Sequence, residues 1–194
     1  MGMCLGLHSV SDENIKKIIA EPELILWLLG SQEQYLKTLE QNAAPSFFGK
    51  LLGKQAQHRE PSQIRFVDGE NQEMDLDKAW HGIHFCLNGS AEEGPNDFLL
   101  MGGEWAGQID VGYGPARLFT SQQVANIVSK LESFGPEELE SAFDPDTMAQ
   151  LDIYPSIWDE GKEAFSYLAE YYKNLFGFLL RCKNQQLGVA IYLS

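Results

Sequence analysis

Four polar side chains, Asp77, His81, His84 and Asn88, recur at the i, i+4, i+7, i+11 spacing of one helix face within LDKAWHGIHFCLNG, residues 76–89. Two imidazoles three residues apart could share a metal ion, and an Asp one turn before a His could orient the ring as a general base. Neither use has a second signature. There is no H-E-x-x-H and no cysteine at ligand spacing, so no metal and no cofactor is expected, and no G-x-S-x-G supplies a nucleophile. A structural role outweighs both uses: Asp77 bonded to His81, and His84 hydrogen-bonded at the edge of the core. A second element is GYGPAR, residues 112–117, which ends just before a helix start. Arg117 together with the free N–H groups there could hold a carboxylate or phosphate. A bridge from Arg117 to one of the chain's many carboxylates is the stronger expectation, because buried Arg is almost always paired. Tyr113 is expected to be a buried hydroxyl bonded to backbone. A ligand between the two elements would meet Arg117, Tyr113, Trp80 and Asn88, with His81, His84 and Asp77 as the catalytic candidates.

Leu76, Trp80, Ile83 and Leu87 share the neighbouring face of the same stretch. This predicts a helix from Leu76 to Asn88 with its apolar edge in the core, Asp75 as N-cap and Gly89 as left-handed C-cap. Trp80 then serves as a core anchor before it serves as a stacking platform. Gly82, mid-helix, is about 1 kcal/mol worse than Ala, which points to close approach of another group.

Around this helix the chain reads as helix-rich α+β, a single domain over residues 1–194. Met3–His8 and Val189–Leu193 alternate as strands near both ends, so they could share one small sheet. Ile64–Val67, Phe98–Met101 and Ile109–Tyr113 are further strand candidates. Ser11 and Ser31 precede amphipathic pieces, and Pro22 opens another helical turn. Thr120 with Gln123 makes a capping box for a helix to Leu131. Pro136 and Pro145 each open a short helix, and a long helix runs from about Glu160 to Lys183. Residues 46–65 stand apart as an insertion or lid. Their Phe47–Lys54 stretch puts Phe47, Phe48, Leu51 and Leu52 on one face beside Lys50 and Lys54, in the only basic neighbourhood of the chain. Packing on its own domain is the default for such a segment, ahead of membrane or partner docking.

Charge is the strongest global signal. The formal net charge is −14 over 194 residues, and residues 1–65 contribute nothing to it, with seven acidic and seven basic side chains. Between Glu132 and Glu163 ten carboxylates face Lys162 alone. Such a surface repels nucleic acid and anionic lipid, which need Lys and Arg against their phosphates. The longest apolar run, Leu24–Leu29, is too short to span a membrane. Three widely spaced cysteines in apolar settings and no secretory start in Met1–Val10 give the expectation of a cytoplasmic protein with free thiols.

The start MGM, the run LDKAWHGIHF and the run GYGPARLF resemble the YfbM-like family of bacterial proteins of unknown function. The likeness spans most of the chain and leaves 46–65 outside the matching motifs. It supports the fold and brings no catalytic residues with it. Two functions stay open. One is a non-enzymatic acidic binding protein with a basic protein partner. The other is a small-molecule binder or enzyme, a hydrolase or transferase on a phosphate- or carboxylate-bearing compound, with its pocket between the Asp77–Asn88 stripe and the GYGPAR turn.

Overall fold

A computed structural model describes residues 2–43 and 62–194. The Phe47–Lys54 stretch, and the proposed insertion up to its last four residues, lie outside the described residues. The sheet has five strands in the order β2-β1-β5-β4-β3, all antiparallel. They are β1 (Leu5–Val10), β2 (Glu73–Asp75), β3 (Glu104–Asp110), β4 (Pro115–Phe119) and β5 (Gly188–Leu193). The strands near both ends pair directly, Leu5 opposite Leu193 and Val10 opposite Gly188, as their shared β-branched and apolar composition led one to expect.

Both faces of this sheet are covered. Leu7, Phe119 and Ile191 point into one core, while Val10, Leu118 and Ala190 point into the other. Helices α1 (Asp12–Ala20), α2 (Leu24–Leu28) and α3 (Gln32–Ala43) pack the second face. Helices α4 (Trp80–Asn88), α5 (Ser121–Leu131), α6 (Pro136–Ala142), α7 (Pro145–Gln150) and α8 (Lys162–Asn184) pack the first. The fold is α+β, as the spacing of apolar residues implied. Capping chemistry works where it was expected. Ser11 Oγ accepts from Asn14 N, and Thr120 and Gln123 bond reciprocally.

Three strand or helix expectations need correction. Ile64–Val67 forms no strand, because side chains take its backbone groups: Val67 N donates to Glu70 Oε2 (2.8 Å) and Arg65 O accepts from Asn14 Nδ2 (3.0 Å). Phe98–Met101 is a turn whose carbonyls face Arg117 instead of a neighbouring strand. Of Ile109–Tyr113 only Ile109 and Asp110 are strand, as the end of β3, and residues 111–113 lie in the turn that follows.

Candidate functional site

The wall of the expected site is α4, and it is shorter than its apolar pattern suggested. Asp75 caps no helix. Its carboxylate accepts the Asp77 N–H (2.6 Å), and Asp77 itself takes a left-handed φ of 46°, so the chain turns there and α4 starts at Trp80. Gly89 ends it at φ 66°, the left-handed cap expected of a glycine. Asp77 therefore leaves the helix face and does not reach His81. It accepts instead from the Tyr167 hydroxyl (2.9 Å) and the Cys4 thiol (3.5 Å). Burial, and then the bond to Asp77, raise the pKa of both donors, which keeps them protonated.

His81 is engaged by the protein's own groups at both ring nitrogens, His84 at one. His81 Nδ1 accepts the Tyr154 N–H (3.0 Å), which fixes the proton on Nε2, and Nε2 donates to Ala91 O (2.9 Å). Its ring stacks on Trp80 at 4.9 Å between centroids, and Trp80 Nε1 donates to Met3 O, so the indole is a core anchor. His84 is 0% exposed. Its Nδ1 faces Asn88 Nδ2 (3.3 Å), and its Nε2 meets no hydrogen-bond partner among the described residues. Burial, with His81 adding to it, pushes the His84 pKa down to about 4; the Glu92 backbone and the Asp97 carboxylate oppose this. Burial lowers His81 as well. Both rings are neutral near pH 7.

Arg117 projects from β4 and is only 7% exposed. Its guanidinium donates to the carbonyls of Phe98 (3.0 Å), Leu99 (2.6 Å), Met101 (2.6 Å) and Gly102 (3.4 Å), winding residues 98–102 around itself. The helix start beside it already holds an anion, the side chain of Asp12. Ser121 N donates to Asp12 Oδ1 (2.8 Å) and Ser121 Oγ to Oδ2 (2.7 Å). Tyr113 is exposed at the β3–β4 turn, contrary to the buried hydroxyl expected there.

His84, Asn88 and Arg117 are nevertheless neighbours in one sense: all three hold the segment between α4 and β3. Asn88 Oδ1 accepts from Asn96 N (2.8 Å), and the Asp97 carboxylate acts on both His84 and Arg117. What lies between these groups is the chain's own peptide. The cleft at this place, bounded by Pro95, Asn96, Phe98 and Lys130, measures about 60 Å³, against several hundred for a ligand pocket. Among the described residues no group of three His, Cys, Asp or Glu is placed to hold a metal.

A larger concavity, about 630 Å³, opens between the end of α5, α6 and one face of α8. Phe134, Phe165, Ala169 and Phe176 form its half-buried floor, with exposed Glu137, Glu140 and Glu170 at its edges. The sequence carried half of this signal. The run of carboxylates from Glu132 onward was visible, while Phe165 and Phe176 fall on the apolar stripe of α8 and read as core. Only the packing of α6 against α8 shows that they are left partly uncovered.

A family model described as a domain of unknown function (DUF1877) matches residues 1–192. The crystal structure of a protein of unknown function, YfbM from Escherichia coli, is similar in fold, with a TM-score of 0.59 at 16% identity over 98% of this chain and 99% of that one. No curated protein matches the chain.

Proposed function

The chain belongs to the DUF1877, YfbM-like family, and within it we propose a non-enzymatic binding protein that turns its acidic face to a basic partner. One contrast carries this reading. The ring nitrogens of His81, the guanidinium of Arg117 and the N–H and hydroxyl of Ser121 are engaged inside the molecule, whereas Glu137, Glu140 and Glu170 stand exposed around an open apolar groove. Carboxylates at the edge of an interface steer and select a cationic partner more than they add affinity. The reaction-based alternative, hydrolysis or transfer on an anionic compound, would need Arg117 to release four carbonyls before it could bind substrate.

Titration with a lysine-rich peptide tests the reading. Affinity is expected to fall at least about tenfold between roughly 20 and 300 mM NaCl, as exposed charges become screened. An affinity unchanged by salt, or no binding at low salt, would rule it out. A thermal-shift screen against phosphorylated metabolites addresses the alternative: stabilisation by one of them that Arg117→Lys abolishes would favour an anion site.

A further inference from the structure

We infer that the groove between α6 and α8 receives an amphipathic helical segment of a partner protein, with large apolar side chains on the groove floor and Lys or Arg along its flanks. The inference rests on the binding reading above and names what that site would recognise.

Four observations support it. The floor is long: Phe165, Ala169, Tyr172 and Phe176 follow the i, i+4, i+7, i+11 face of α8, which spans about 16 Å at 1.5 Å per residue. That is three helical turns, the length over which a docked helix presents anchors at i, i+3 or i+4, and i+7. The floor also offers little to orient a small polar metabolite. The Tyr172 hydroxyl, its obvious polar handle, already donates to Phe134 O (2.7 Å). Charge lies on both sides of the groove, with Glu137 and Glu140 on α6 and Glu170 on α8. None of these three is in an ion pair with a described residue, while Glu132 at the end of α5 is held by Lys183 (2.8 Å). Lys173 is the one cation in the lining among the described residues. An apolar trough with carboxylates on either side fits a helix that is apolar beneath and basic at its flanks, and disfavours one with acidic flanks.

The test is a selection from a phage library of 16-residue helical peptides, run against the full chain. Selection uses the wild-type chain alone, and the winners are then measured on Ala169→Trp, which fills the trough, and on the triple variant E137K/E140K/E170K, which reverses its edges. Circular dichroism first establishes that both variants keep the wild-type helix content. The expected winners carry large apolar residues at i, i+3 or i+4, and i+7 with a Lys/Arg excess. Their binding should weaken at least about tenfold in either variant, since each removes one of the two matched features. Winners that bind Ala169→Trp as well as wild type, and lose affinity only in the triple variant, would sink the groove and leave the acidic-face reading standing. Apolar winners without basic residues, insensitive to the triple variant, would instead remove the charge reading. No enrichment on the wild-type chain overturns the inference. So does a concentration-dependent dimer in sedimentation that Ala169→Trp disperses, because a second copy would then fill the groove. Binding of a lipophilic amine there more tightly than any selected peptide would likewise overturn it.

Discussion

His84 couples the burial of one side chain to the stability of the whole chain. Unfolded, its ring takes a proton near its ordinary value of 6.5; folded, it resists until about 4. Folding therefore keeps the full benefit of the neutral ring above pH 6.5 and loses it as pH falls towards 4, roughly 3 kcal/mol in all. His81, also lowered, acts in the same direction, and Asp97 opposes it at His84. Urea unfolding at pH 7 and pH 4.5 should show His84→Leu losing about 2–3 kcal/mol less than wild type between the two conditions. Equal losses would place the acid sensitivity elsewhere. At this scale the sequence was partly legible. The periodicity that put His84 and Asn88 on one helix was sound, since both lie on α4, but His84 is 0% exposed and lies inside the core, not at its edge. Asp77 was misplaced because an Asp two residues earlier can bond its N–H and turn the chain, a local competition that apolar spacing does not register. Arg117 was seen as a potential ligand or carboxylate partner, and its use of peptide carbonyls depends on a loop brought to it by the fold.

Among the elements, α4 shows how a poor helix former can be required. A Cβ built on Gly82 would lie 2.6 Å from Trp158 Cζ2 and 2.9 Å from Leu168 Cδ1. The indole of Trp158 is fixed by its own bond to Ile153 O (2.8 Å) and cannot yield cheaply. Gly82→Ala gains about 1 kcal/mol in helix propensity but meets an overpacking penalty of about 1–3 kcal/mol, so net destabilisation of up to about 2 kcal/mol is expected in chemical denaturation. A stabilised variant would show that α4 and α8 can separate slightly. The close approach was legible from the glycine alone, although its source was not. Helix starts were the most readable features, because Ser11, Thr120, Pro136 and Pro145 act within one turn of themselves. Strands fared worse. Phe98–Met101 has strand composition and lacks a strand because Arg117 claims its carbonyls, whereas β4 hid inside a motif read as a turn.

For the molecule as a whole, the lopsided charge was readable by counting and the groove was not, since it exists only where α6 meets α8. The excess of carboxylates should also act on the chain itself. Screening from about 20 to 300 mM NaCl shortens the Debye length from roughly 20 to 6 Å, which relieves self-repulsion, so the unfolding temperature should rise by about 2–4 °C. A fall, measured by calorimetry, would mean that attractive pairs such as Lys183–Glu132 outweigh the repulsion. Strand β5 sits third in the sheet, between β1 and β4, and it comes last of the five in the chain. Until residues 188–193 emerge from the ribosome, β1 and β4 have no common neighbour, and the apolar surfaces of α4 and α5 have no finished sheet to close upon. A nascent chain of this protein must therefore keep its half-built interior away from other molecules until β5 has been made, and any release short of that strand would yield a product for the cell's quality control to remove.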